Sequence, residues 1–158
     1  MKQQRFLHVV AWTQQNADDP IFLFGDLSET ELKRKFVTPY RTGGRLHLQQ
    51  RILDTTELTG VRIIETAEPR AEVLKAMQER SLRQIDEVNL HASWAPRVST
   101  GYGWDDEDIV YADDDVTNRY VSGKPGSPGL LSQATHNHWL RVAGVGLVFL
   151  AAAAWFDI

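Results

Sequence analysis

The sequence predicts an α+β fold: a small, mostly antiparallel sheet with two packing helices, followed by a single C-terminal transmembrane helix. Short runs of β-branched and aromatic residues alternate with turn sequences, which indicates strands. Two stretches carry apolar residues at helical spacing, and a stretch near the C-terminus is almost uncharged. We therefore expect a soluble α+β domain over residues 1–121, a Gly/Pro/Ser-rich linker and juxtamembrane segment over residues 122–137, and a transmembrane tail over residues 138–158.

The first predicted strands form a hairpin. Residues 5–13 are rich in β-forming side chains and are followed by a polar turn that ends at Pro20. Residues 21–24 supply the partner strand. Further strands are predicted at residues 45–48 and 61–66, with residues 51–60 as a connection between them, and residues 109–111 are a candidate for a short strand between acidic turns.

A capping box marks the start of the first helix. Ser28 is placed to cap the helix, and Glu31, three residues later, completes the reciprocal pair. Leu32 and Phe36 then lie on one face. Because proline lacks an N–H group and disfavours helix before it, we expect this helix to end near residues 38–39.

The second predicted helix begins after Pro69 and runs from residue 70 to about residue 89. Its apolar side chains recur at helical spacing, which is typical of an amphipathic helix. We expect that face to cover one side of the sheet. The apolar residues are Val73, Leu74, Met77, Ile85 and Val88.

Composition limits the chain to one modest domain and argues against some functions. The 158 residues are 42% hydrophobic and 24% charged, which suits a single hydrophobic core. Cysteine is absent, so disulfides and thiolate metal sites are excluded. A net charge of −4 without a basic stripe argues against nucleic acid as a partner.

The C-terminal tail is the strongest functional signal in the sequence. Residues 142–156 contain no charge, and as a helix they would span roughly 22 Å. A bilayer core is about 30 Å thick, so the span also needs Trp139 and Leu140, with Arg141 extending toward head groups. The expected anchor residues are Trp139 and Trp155 at the two interfaces, Arg141, and the small residues Gly144 and Gly146.

Flanking charges predict how the tail is oriented. Lys124 and Arg141 precede the apolar stretch and Asp157 follows it, which favours a cytoplasmic domain and a single pass through the cell inner membrane. One alternative is a buried C-terminal helix of a soluble domain. Another is a natural chain that continues past Ile158.

No pattern predicts a catalytic residue, a metal site or a cofactor. The acidic run between Asp105 and Asp115 lacks the spacing of a calcium loop, so we interpret it as a solvated turn. His136 and His138 have no third ligand nearby in the sequence. Glu65 and Asp108 are a possible acid/base pair, but a chain with 21 acidic residues offers many such pairs by chance. We therefore predict no catalytic role for them.

Several short patches share the pattern of one known module. They are residues 37–40, Gly43, Arg51, and residues 61–66, 115–117 and 125–127. With these patches the chain resembles an uncharacterised N-terminal module of bacterial conflict systems. The resemblance spans roughly residues 5–128, and Gln50 and Lys124 depart from it where the module has glycine and proline. It implies a domain that precedes an effector, often a TIR-like or nucleotide-processing unit, in antiviral systems.

The tail and the resemblance together predict a non-catalytic, membrane-anchored sensor or adaptor. In one hypothesis it is an immune effector whose clustered tails perturb the inner membrane. In the alternative it is an accessory or scaffold subunit of a larger membrane complex. The expected partners are the lipid bilayer, further copies of the chain or a larger protein complex, and a small signalling ligand.

Overall fold

The computed structural model describes residues 4–49, 51–90, 101–112 and 114–127. These residues form an α+β fold, as predicted. The strands are β1 (Phe6–Thr13), β2 (Ile21–Leu27), β3 (Arg45–His47), β4 (Ile52–Asp54), β5 (Leu58–Thr66) and β6 (Asp114–Asp115). They form a four-stranded antiparallel sheet in the order β2-β1-β5-β6 and a separate antiparallel pair, β3-β4.

The central strand β1 has a hydrophobic cluster on each face of the sheet. It pairs with β2 in the predicted hairpin and with β5 on its other side. Side chains alternate along a strand, so Val9 enters the larger cluster with Phe36 and Ile63, whereas Val10 enters the smaller one with Leu74. Both faces of β1 are therefore buried.

The first helix begins at the predicted capping box but does not end at the proline. The Ser28 side chain accepts from the Glu31 N–H group, and the Glu31 side chain accepts from the Ser28 N–H group. A short α1 (Glu29–Leu32) continues through a π-helical turn (Lys33–Val37) into α2 (Thr38–Thr42). Pro39 lies in the first turn of α2, where its missing N–H group is tolerated. The predicted end near residues 38–39 is therefore wrong.

The segment predicted as a connection over residues 51–60 contains a strand. β4 pairs with β3 through Leu46 and Leu53, which are both buried in the larger cluster. Thr55 follows in a single 3-10 turn (Thr55–Glu57), and its buried hydroxyl donates to the carbonyl oxygen of Gly44 at 2.8 Å. β3 lies within the strand predicted at residues 45–48, whereas β4 has only three residues, which is too few for alternation to be visible in the sequence.

The long helix α3 (Arg70–Leu90) matches the predicted amphipathic helix, but its apolar face is only partly buried. Leu74 is buried, and Val73 and Met77 are partly buried against the smaller cluster. Val88 is 52% exposed. The prediction that this whole face covers the sheet is therefore wrong: burial fades towards the C-terminal half of the helix.

A 3-10 helix (Asp106–Tyr111) lies where a short strand was considered at residues 109–111. Its Ile109 and Val110 pack in the smaller cluster with Val10 of β1 and Leu74 of α3. This segment thus fills space between the long helix and the sheet. A capping box between Asp105 and Asp108 starts it.

The described chain ends packed against α2. A short α4 (Thr117–Tyr120) is followed by residues that return to Tyr40, whose hydroxyl donates to the Gly123 carbonyl oxygen at 3.0 Å. The Gly126 N–H group donates to the Tyr40 carbonyl oxygen at 2.9 Å. Residues 123–126, which begin the predicted linker, therefore contact the domain.

No helix within the described residues combines the length and the apolar character needed to cross a membrane. The predicted tail over residues 138–158, with its anchor residues Trp139, Arg141, Gly144, Gly146 and Trp155, lies outside the described residues. The transmembrane helix and its orientation stay predictions.

Candidate functional site: a groove beside α3

A groove of about 550 Å³ lies between α3, the end of β5, residues 102–112 and Asp114. This volume is within the usual range for small-molecule sites. We call it the α3 groove. Its lining includes apolar, aromatic and charged side chains. They are Val73 and Met77, Tyr102 and Tyr111, and Glu65, Glu68, Arg80 and Asp114.

Two tyrosine rings lie side by side in the groove lining. The ring centroids of Tyr102 and Tyr111 are 4.3 Å apart, and the planes are tilted by 45°. Each residue is about half exposed. The backbone N–H group of Tyr102 donates to Ser81 Oγ at 3.0 Å, which fixes this end of the segment on α3. The pair offers an accessible aromatic surface on a supported backbone.

Glu65 is a buried carboxylate held by two arginines. Its Oε1 accepts from Arg5 Nη1, and its Oε2 accepts from Arg119 Nη1 at 3.2 Å. Both arginine side chains are mostly exposed, and neither lines the groove. Because each carboxylate oxygen already has a cationic partner, the charge of Glu65 is balanced within the protein.

The other charged groups of the groove differ from Glu65, because no ion pair among the described residues balances their charge. Asp114 is the register partner of Glu65 across the β5–β6 pair, so their side chains leave the same face of the sheet. Within the described part of the chain, Glu68, Asp114 and Arg80 have no ion-pair partner within 4.0 Å. The groove therefore has carboxylates at its sheet end and a guanidinium on its helix side.

A buried histidine supports the sheet end of the groove. His8 Nδ1 accepts from the Asp26 N–H group at 3.2 Å, and Nε2 lies 2.8 Å from Thr66 Oγ1. Thr66 lines the groove and donates its hydroxyl to the Glu68 carbonyl oxygen at 2.6 Å. Since Nδ1 accepts, the neutral ring carries its proton on Nε2 and donates it to Thr66.

The burial of His8 favours this neutral form. Burial is the largest influence and lowers the pKa of His8 to about 4, with Arg70 lowering it further and Asp26 raising it. The ring is fully buried. Near neutral pH the imidazole is therefore an uncharged link between Asp26 of β2 and Thr66 at the end of β5.

The start of α3 is fixed to the same corner. Asp26 has a positive φ of 55°, and its Oδ1 accepts from the Arg70 N–H group at 2.7 Å. The Arg70 guanidinium donates to Asp106 Oδ2 at 2.5 Å and lies over the Phe22 ring at 4.7 Å. These contacts connect the sheet, α3 and the 3-10 helix, and they position the walls of the groove.

The acid/base pair considered from sequence is not assembled. Asp108 Oδ2 accepts from the backbone N–H groups of Gly103, Trp104 and Asp105 at 2.8, 3.0 and 3.3 Å. It does not line the groove, unlike Glu65. The structure therefore gives these two carboxylates separate hydrogen-bonding roles.

The acidic run is likewise used in local contacts. Asp106 pairs with Arg70, and Asp115 accepts from the N–H group and hydroxyl of Thr117 and pairs with Arg62 at 3.5 Å. Within the described ranges, no three His, Cys, Asp or Glu residues form a group that could hold a metal ion. His136 and His138 lie outside those ranges.

Sequence reasoning missed the groove itself. Its charged and aromatic members come from β5 and the residues after it, from α3, and from Tyr102, Tyr111 and Asp114, which are far apart in the chain. The available signal was on α3, where Met77, Arg80, Ser81 and Gln84 share one face by their i, i+3 and i+4 spacing. That face carries polar groups where a purely packing helix would carry apolar ones.

The α3 groove is the main feature of the described residues that bears on function. The resemblance of residues 5–128 to a conflict-system module stays a prediction. No known family model matches the chain, and no match was found among curated proteins or solved structures.

Proposed function

We propose that this protein is a non-catalytic binding module, a sensor or adaptor, held at the inner membrane by its C-terminal apolar segment. The α3 groove is the observation that carries the proposal, because it presents unbalanced charges beside an exposed aromatic pair. A site of this size and mixed lining suits a small ligand or a short peptide.

The chemistry of the groove favours recognition over catalysis. Glu65 has both carboxylate oxygens engaged by arginines, so it is poorly placed to exchange a proton with a substrate. No histidine is among the groove-lining residues that the structure describes, and Ser81 Oγ already accepts a hydrogen bond from the backbone of Tyr102. These side chains orient and bind.

The proposed membrane role rests on the sequence of the tail. Residues 142–156 are uncharged, and in the sequence Trp139 precedes this stretch and Trp155 comes near its end. Gly144 and Gly146 would allow close packing between tails of neighbouring copies. In this proposal, a bound ligand promotes association of the domains, and the gathered tails perturb the bilayer.

An accessory or scaffold role is the second candidate. The exposed apolar side chains along the second half of α3 favour it, because such a face is suited to a protein partner. In that case the tail acts only as an anchor and the domain docks on a larger complex.

Membrane fractionation tests the anchor. The full chain should stay in the membrane pellet after an alkaline carbonate wash, and a V145E/L147E variant should be released because charges at mid-bilayer oppose insertion. A V145A/L147A variant is the matched control and should stay in the pellet. Recovery of the full chain in the soluble fraction would overturn the anchoring proposal.

A dye-leakage assay separates effector from scaffold. Induced expression of the full chain should release a membrane-impermeant dye, and replacing residues 139–156 by an unrelated single-pass anchor should abolish the release. Unchanged leakage with the unrelated anchor would contradict the tail-clustering mechanism. Absence of leakage from both proteins, with a stable copurifying complex, would favour the scaffold role.

A further inference from the structure

We propose that the α3 groove binds a basic side chain of the arginine type, carried either by a peptide or by the free amino acid. The inference rests on the proposed binding function and names its ligand class. Three properties of the described lining carry it: two carboxylates, Glu68 and Asp114, without an ion-pair partner among the described residues, a half-exposed tyrosine pair beside apolar side chains, and the Arg80 guanidinium on α3.

The carboxylates provide the site for a guanidinium. Asp114 and Glu68 lie at the sheet end of the groove, and neither has a cationic partner within the described residues. Glu65, directly opposite Asp114, is already balanced by Arg5 and Arg119. An incoming guanidinium therefore meets open carboxylate oxygens, with which it forms short charge-assisted hydrogen bonds.

The aromatic and apolar lining suits the rest of the side chain. Tyr102 and Tyr111 line the groove and are about half exposed, and a planar guanidinium stacks favourably on aromatic rings. Val73 and Met77 supply an apolar surface for the aliphatic stem. A compact ammonium would gain less from the rings, so arginine is favoured over lysine.

Arg80 and Gln84 determine what else the ligand carries. They are one helical turn apart on α3 and both line the groove. The Arg80 guanidinium suits a carboxylate, as in free arginine, whereas the Gln84 amide suits the carbonyl and N–H groups of a peptide. The same groove is therefore compatible with both sources of the side chain.

The charge of the lining argues against a phosphorylated ligand. Among the described lining residues, the charges without an ion-pair partner are those of Glu68, Asp114 and Arg80, because Glu65 is already paired with Arg5 and Arg119. A nucleotide with two or three phosphates would have only Arg80 to pair with in the lining and would lie beside two open carboxylates. The open carboxylates favour a ligand with a positive group.

Calorimetry on the full chain in lipid nanodiscs tests the proposal. The probes are L-arginine, the capped tripeptide Ac-Ala-Arg-Ala-NH₂, and L-citrulline and a capped citrulline tripeptide as uncharged counterparts. Binding of either arginine probe at least tenfold tighter than its citrulline counterpart supports the proposal and identifies the source. Equal binding of arginine and citrulline, or no binding of either arginine probe, overturns it.

Variants locate the site. E68Q/D114N should weaken arginine binding at least tenfold, whereas D18N/D19N, which removes two charges from the exposed β1–β2 turn, should leave it within twofold. R80Q should weaken binding of free arginine more than that of the capped peptide. Melting curves must show each variant folded, and unchanged binding in E68Q/D114N overturns the assignment.

These outcomes are separable from those for the proposed function. Carbonate extraction reports on the tail and needs no ligand. A chain that stays in the membrane fraction but does not bind the arginine probes would contradict only the proposed ligand class. A chain found in the soluble fraction that binds arginine would contradict the membrane anchor alone.

Discussion

At the residue scale, His8 is a fully buried side chain with both ring nitrogens engaged. It accepts from Asp26 through Nδ1 and donates to Thr66 through Nε2, so both ring nitrogens are used only when the ring is neutral. Protonation would remove the acceptor and place a charge in a fully buried position. The fold should therefore be sensitive to acid at this single site.

The pKa of His8 gives the direction and the pH window of that effect. It is about 4 in the folded protein against 6.5 in the unfolded chain, so the unfolded chain binds the proton first as the pH falls. The free energy of unfolding should be unaffected by His8 above pH 6.5. It should then drop by about 3 kcal/mol between pH 6.5 and pH 4. Urea denaturation at several pH values measures this change.

An H8N variant is the control for the acid effect. Asparagine keeps an oxygen that can accept from the Asp26 N–H group but does not titrate. Its free energy of unfolding should be lower near neutral pH, because the contact with Thr66 is lost, and should vary less between pH 6.5 and pH 4. Parallel pH profiles for the two proteins would contradict the role assigned to His8.

At the element scale, the groove depends on how closely residues 101–112 approach α3. Gly103 has φ of +102°, and an added Cβ would lie 2.5 Å from both the Leu74 carbonyl oxygen and the Gln78 nitrogen. Those are backbone atoms of α3 and cannot move aside locally. Only glycine allows this contact, and it leads directly into the cap formed by Asp108.

A G103A variant should therefore detach this segment from the helix. We expect a loss of at least about 2 kcal/mol in the free energy of unfolding, from overpacking and an unfavourable φ together. Arginine binding should weaken with it, because Tyr102 and Tyr111 would lose their supported position. Urea denaturation and calorimetry measure the two effects.

Gly123 offers a matched comparison for G103A. It also has a positive φ, +73°, but the nearest atom to an added Cβ is 3.9 Å away, which is ordinary contact. G123A should cost only about 1 kcal/mol, from backbone strain alone. Equal losses in the two variants would show that steric contact with α3 is unimportant.

At the scale of the whole molecule, the domain extends beyond its predicted boundary at residue 121. Tyr40 forms one hydrogen bond with Gly123 and another with Gly126. Gly43 and Gly126 approach so closely that an added Cβ on Gly43 would lie 3.4 Å from the Gly126 Cα atom. The first residues of the expected linker are therefore packed on α2.

Truncation tests this boundary. A chain ending at residue 127 should unfold at a higher temperature than one ending at residue 121. The shorter chain loses two hydrogen bonds to Tyr40, each contributing about 1 kcal/mol. Differential scanning calorimetry measures the difference. Identical melting temperatures would place the boundary at residue 121 after all.

The sequence predicted those elements whose patterns are long. The β1–β2 hairpin and α3 have enough residues for strand or helix spacing to be evident, and the Ser28–Glu31 capping box is a local signal. β3 lies within the strand predicted at residues 45–48, but β4 was missed, because a three-residue strand with one buried side chain gives too little pattern. The helix end predicted at Pro39 is wrong for a physical reason. A proline breaks the interior of a helix, but it is acceptable at the start of α2, after the π-helical turn.

The groove could not be predicted because it depends on tertiary contacts. Asp114 faces Glu65 only through the β5–β6 register, and the tyrosines meet only because residues 101–112 fold against α3. Ile109, Val110 and Tyr111 form a short apolar run that fits a strand or a 3-10 turn equally well in sequence. Packing against Leu74 and Val10 decides between them.

The attachment of Gly126 to Tyr40 also sets the length of the segment that connects the domain to the apolar tail. Only eleven residues, 128–138, separate Ser127 from Trp139, so even a fully extended chain reaches about 40 Å. If the tail spans the bilayer as proposed, the domain is confined to a thin layer above the lipid surface. Copies of the chain in the same area of membrane would then have a high effective concentration. A ligand that favours association only weakly would be enough to form clusters.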